Sequence, residues 1–72
     1  MLTVKKLIET LNCTLIEADE VRNVVLAKKT DDRQDSYITW KIGKDSETLM
    51  WSAYHGHYDM TLANAIEDYL ER

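Results

Sequence analysis

Two runs that alternate apolar and polar residues, followed by a run with helical spacing, constrain this chain more than any other feature. Ser36-Tyr-Ile-Thr-Trp-Lys-Ile-Gly43 and Glu47-Thr-Leu-Met-Trp-Ser-Ala-Tyr54 both show the period of two that a half-buried strand needs. Gly43-Lys-Asp-Ser46 lies between them as a tight turn. His55-Gly56-His57 reads as a break. Beyond it Leu62, Ala65, Ile66, Tyr69 and Leu70 recur at spacings of three and four, one face of a helix. Thr61 is the expected N-cap, with Asp59 as the alternative.

The first half is patterned more weakly. Thr3 is placed to cap a helix over residues 3–12, with Leu2 and Leu7 as a hydrophobic staple. Val4, Leu7, Ile8 and Leu11 form its apolar stripe, and Asn12 suits a left-handed end. Cys13 to Ala18 predicts a strand of undecided facing, because Thr14/Ile16/Ala18 and Cys13/Leu15 are about equally apolar. Asp19-Glu20 mark a turn. Asn23 to Lys29 predicts a further strand, and residues 31–35 a polar hairpin loop.

Centring the last hairpin on Lys44-Asp45 sets Trp40 against Leu49, Ile38 against Trp51, Thr39 against Met50 and Tyr37 against Ser52. Centring the preceding loop on Arg33 sets Leu26 against Trp40 and Val24 against Ile42. The inner face is then Val24, Leu26, Ile38, Trp40, Ile42, Leu49, Trp51 and Ala53. The order is α-β-β-β-β-α, or α-β-β-β-α if the first strand is irregular. The fold class expected is α+β: a two-layer sandwich in which an antiparallel meander of three or four strands carries both terminal helices on one face.

At 72 residues the chain is one domain, residues 1–72. A chain this short buries only about 60% of the surface its unfolded form exposes. Its core supplies no more than roughly 3–5 kcal/mol. One cysteine, Cys13, excludes an internal disulfide. These facts favour a partner, either a second copy or another protein. Thirteen acidic against nine basic residues give a net charge of −4, which disfavours nucleic acid and anionic membranes. No export signal or membrane-length apolar run is apparent; Val24 to Ala27 is the longest. A cytoplasmic protein is the expectation.

Chemistry-bearing residues are sparse. His55 and His57 are two apart, so on an extended segment they point the same way, as a metal pair requires; Asp59 or Cys13 are the candidates to complete a site. The competing reading is a strand-to-helix connection in which Gly56 allows a bend and Tyr54 and Tyr58 pack at the rim. Cys13 with either histidine is the available thiolate–imidazole pair. No nucleophile–base–orienter set can be assembled otherwise, and no phosphate-binding glycine loop exists. The chain is therefore expected to be no enzyme and to hold no cofactor.

With helices on one face, the other face of the sheet is left bare. Its residues are Val25, Ala27, Tyr37, Thr39, Met50, Ser52 and Tyr54, bordered by Lys29 and Lys41. Of these, Val25, Tyr37, Thr39, Met50, Ser52 and Tyr54 are the expected protein interface, since Tyr and Met are enriched at such surfaces. The α-β-β-β-α order is similar to that of the double-stranded-RNA-binding domain. That family's lysine cluster is missing from Met60-Thr-Leu-Ala-Asn-Ala65, so RNA binding is not expected.

Trp51 to Tyr54, Gly56-His57-Tyr58 and Ala65 to Tyr69 together resemble small accessory proteins of Gram-positive bacteria and their phages or mobile elements, over residues 36–70. That resemblance implies a protein acting on or alongside host machinery. The favoured expectation is a non-catalytic protein-interaction module using the open sheet face or an edge, as a homodimer or with another protein. The alternatives are an acidic inhibitor of a host defence nucleic-acid enzyme, similar to anti-CRISPR proteins, and a small metal-binding protein using His55 and His57.

Overall fold

A computed structural model of the chain describes residues 3–30 and 36–72. The Thr3 side chain accepts the Lys6 N–H at 3.2 Å and starts helix α1 (Val4–Thr10). Leu2, the other half of the expected staple, lies outside the described residues. Asn12 ends the turn after α1 at φ 60°, the left-handed conformation expected of it. Its carbonyl accepts both the backbone N–H and the side-chain hydroxyl of Thr30.

Four strands follow: β1 (Cys13–Asp19), β2 (Val24–Lys29), β3 (Tyr37–Lys44) and β4 (Trp51–Met60). They form one antiparallel meander in the order β1-β2-β3-β4. Thr61 then caps α2 (Leu62–Glu71), its hydroxyl accepting the Asn64 N–H at 3.1 Å. The α-β-β-β-β-α order and the antiparallel sheet are those the sequence predicts.

The helices, however, lie on opposite faces. Val4, Leu7 and Ile8 of α1 pack with Val25, Ala27, Ile38, Trp40 and Ile42, and with Trp51 and Ala53. Ala65 and Tyr69 of α2 pack with Val24 and Leu26, and with Tyr37 and Met60. Neighbouring residues on a strand project to opposite sides, so the sheet is sandwiched between α1 and α2 in three layers. The expected two-layer arrangement is corrected here. The cause is register: Val25, not Leu26, stands opposite Trp40. A one-residue slip moves Val24 and Leu26 to the far side. The loop of residues 31–35, with its expected centre at Arg33, lies outside the described residues.

The last hairpin also turns elsewhere. Lys44 pairs with Trp51 and Ile42 with Ala53, so the connection is Asp45 to Met50 rather than Lys44-Asp45 alone. Asp45 organises it. Its Oδ1 accepts the N–H groups of Glu47 (2.7 Å) and Thr48 (3.0 Å), and its carbonyl accepts the Leu49 N–H. Leu49 takes φ 59° to close the turn. Trp51 is displaced by an even number of residues, so both tryptophans stay on one face as expected.

His55-Gly56-His57 does not break the strand. It lies inside β4, where two bulges absorb the extra residues between the pairs Lys41/Tyr54, Thr39/His57 and Tyr37/Met60. His55 (φ 50°) and Asp59 (φ 57°) adopt the left-handed conformation there. Gly56 does not. It is required by space: a Cβ at this position would lie 2.6 Å from Trp40 Nε1. Above it Trp40 Nε1 donates to Tyr58 Oη at 3.0 Å, the rings meeting edge to face.

The turn between β1 and β2 reaches α2. Asp19 Oδ1 accepts the N–H groups of Val21 and Arg22, each at 3.0 Å. Arg22 Nη2 donates to the carbonyls of Tyr69 (2.7 Å) and Leu70 (3.0 Å), capping the helix end where a cation is favoured. Arg22→Ala should lower stability by about 1–2 kcal/mol in urea melts, through lost charge-assisted bonds to carbonyls. Gly56→Ala should cost about 1–3 kcal/mol by overpacking, with a shift in tryptophan emission as Trp40 is displaced. An unchanged urea midpoint in either variant would contradict these roles.

Candidate interaction surface

The six residues expected to form one bare sheet face are dispersed. Val25 is fully buried on the α1 side. Tyr37 and Thr39 lie beneath α2, Tyr37 half-buried against its cluster and Thr39 wholly buried. Met50 is exposed, but it stands in the Asp45–Met50 turn. Ser52 and Tyr54 are exposed, with Tyr54 packed on Gly43. The helix that occupies this side is the one the sequence reading placed with α1, and it removes the continuous surface.

What replaces that surface is a polar clasp. His57 Nδ1 lies 2.8 Å from Asp68 Oδ2, and Thr39 Oγ1 donates to the same carboxylate oxygen. An ionised carboxylate only accepts, so Nδ1 carries the imidazole proton. Arg72 Nη1 donates to Thr39 Oγ1 at 3.4 Å, and Arg72 Nη2 donates to the His55 carbonyl. The same nitrogen lies 3.5 Å from His57 Nε2. These contacts fasten α2 to β3 and β4.

Burial raises the Asp68 pKa. Hydrogen bonds from Thr39 and His57, with positive charge at His57 and Arg72, outweigh that effect and hold the carboxyl below its ordinary 3.8.

A histidine held by a carboxylate is half of a catalytic arrangement. Here the free nitrogen, Nε2, faces a guanidinium, and the Thr39 hydroxyl gives its proton to Asp68 rather than to the imidazole. The arrangement orients a helix. The expected metal pair is also separated by use: His57 is turned to Asp68, while the His55 ring meets Tyr54 edge to face. Cys13 is buried on β1, at the opposite sheet edge from β4, about three strand spacings or ~14 Å away. That separation rules out its pairing with either histidine. Among the described residues no group of three or more His, Cys, Asp or Glu is disposed to hold a metal ion.

Exposed large apolar side chains occur on β1, in the turns and on β4, and three of them share one face of α2. Of the five residues predicted for its buried face, only Ala65 and Tyr69 are buried. Leu62, Ile66 and Leu70, at i, i+4 and i+8, remain 43%, 41% and 64% exposed. Such spacing is a continuous stripe along one helix. Sequence periodicity found these residues but assigned them to the core. The signal that separates them is Asp68, whose partners on β3 and β4 fix which way the helix is rolled.

No protein family, curated protein or solved structure matches the chain. No helix among the described residues is long and apolar enough to cross a membrane.

The clasp has a pH signature. Because Asp68 is more acidic folded than unfolded, its contribution is fully present above the unfolded value near 3.8 and is lost as pH falls through the lower folded value. Asp68→Asn should therefore be less stable than the parent at pH 7. The gap should narrow as pH drops below about 4. Urea midpoints of both proteins between pH 2 and 7 check this, and a gap independent of pH would show that the carboxylate charge does not hold α2.

Proposed function

We propose that the protein is a small, non-catalytic interaction module of the cytoplasm whose contact surface is the exposed apolar stripe of α2. One observation carries the reading: three large aliphatic side chains stand in line on a helix already anchored at its N-cap, its Asp68 clasp and its Arg22 cap. A continuous apolar patch on a small domain marks an interaction site more often than scattered apolar residues do. The buried Cys13 and the diversion of Nε2 to Arg72 support a non-catalytic role. Three carboxylates are engaged within the fold: Asp19 and Asp45 in turns, and Asp68 in the clasp.

Photo-crosslinking in the native cell tests the reading. Benzoylphenylalanine at position 66 or 70 should give a discrete adduct. The same group at position 5, on the exposed side of α1, should not. Absence of an adduct from every stripe position would overturn the assignment.

A further inference from the structure

The surroundings of the stripe specify the chemistry of its partner. At about 100° per residue, Asp68 and Arg72 fall on one side of the buried Ala65–Tyr69 line and Leu62, Ile66 and Leu70 on the other. Asp68 faces β3 and β4, so the stripe lies towards β1, the edge strand. Tyr69 agrees. Its phenol pKa is pushed up by burial and by the negative charges of Glu17 and Asp19, both on β1, against the opposing charge of Arg22.

Carboxylates border the stripe on both sides. Glu67 precedes Leu70 by three residues and so flanks the stripe, Glu71 lies one turn beyond Glu67 on the same row, and both are exposed. Glu17 pairs with Leu26, a residue of the α2 cluster, and so stands on the α2 side of β1. It too is exposed. Arg22, beside Tyr69, is committed to the helix carbonyls and to Asp19 at 3.7 Å. Ile16, in the β1 irregularity between Leu15 and Glu17, adds exposed apolar surface on the same edge.

We infer that the Leu62–Ile66–Leu70 stripe receives a basic amphipathic helix from another protein. Aliphatic residues of that helix seat between its lysines or arginines, which meet Glu17, Glu67 and Glu71. The inference rests on the interaction-module reading and adds the partner's chemistry. A second copy of this chain is the poorer occupant, because it brings the same carboxylates and the same net charge of −4 to the contact. An amphipathic helix laid along an apolar stripe is an established mode of recognition. Three aliphatic anchors make a small contact, so affinity falls in roughly the micromolar range.

The test uses the full chain, isotopically labelled, and two synthetic helical peptides with the same leucine spacing. One carries lysine at the remaining positions and the other glutamate. The Leu/Lys peptide should bind and shift the amides of residues 62–71 and 16–17. Glu67→Lys with Glu71→Lys should weaken that binding about tenfold and confer binding of the Leu/Glu peptide. The gain with the second peptide shows that the double variant is folded.

Equal binding of both peptides, shifts confined to another surface, or failure of the Leu/Lys peptide to bind each overturns the inference. So does a sedimentation-detected dimer whose dilution shifts these same amides. The two readings fail separately. Adducts at position 66 without peptide binding leave the module standing and remove only the basic partner. No adduct at any stripe position removes the module itself.

Discussion

Four consecutive apolar residues, Val24 to Ala27, put two side chains on each face of a single strand, and all four are buried. Neither row can be left in water without forfeiting on the order of 1.5–3 kcal/mol for each large aliphatic side chain. One helix covers only one face, so the chain needs a layer on each side of β2. That requirement separates α1 from α2 and makes the sheet a shared middle layer. It also explains Thr39, a β3 hydroxyl wholly buried on the α2 side. Once a helix crosses there the hydroxyl needs a partner, and Asp68 of the covering helix accepts from it.

The roll of α2 about its own axis follows from those polar contacts. Its buried line is Ala65 and Tyr69, one small residue that lets the helix approach and one large residue that fills the space above Val24 and Leu26. Turning the helix to bury Leu62, Ile66 and Leu70 more fully would carry Asp68 away from Thr39 and His57, and Arg72 away from the His55 carbonyl. Thr39 would then be buried without a partner, a loss of about 1–3 kcal/mol. Directional bonds therefore set the helix orientation, and the apolar stripe is left where that orientation puts it. The bulges of β4 belong to the same arrangement. The left-handed turn at His55 sets its carbonyl towards Arg72 and lets His57 register against Thr39.

The sequence made some of this legible and concealed the rest for identifiable reasons. Helix caps at Thr3 and Thr61, the left-handed Asn12 and the strand order depend on local chemistry, and local chemistry is printed in the chain. The facing of β2 was also printed, as the uninterrupted apolar run that marks a strand covered on both sides. Assigning Val25 and Ala27 of that run to an uncovered face, opposite Val24 and Leu26, hid the third layer. The long β4 could not be read in the same way. A leucine at φ 59° and a histidine at φ 50° are uncommon backbone choices. Gly56 imitates a hinge while serving as clearance beneath Trp40 and Tyr58. The expected sheet surface failed with the register, since one residue of slip moved Val25 away from Tyr37 and Thr39 and the third layer covered the last two.

The exposed stripe and the small core are two aspects of one energetic condition. Every aliphatic group that the clasp keeps outside the fold is absent from the stabilisation of the isolated chain, in a domain whose burial is already limited by its size. A partner that covers Leu62, Ile66 and Leu70 binds only a helix already docked in this orientation. By mass action it then shifts stability towards the folded chain, by about 2.7 kcal/mol at a ligand concentration one hundred times its dissociation constant. On the proposed reading, recognition and folding are coupled through the roll of α2. The Asp68 and Arg22 contacts that hold the helix turned outwards also keep the proposed binding surface formed in the isolated chain, which would lower the ordering cost of covering it.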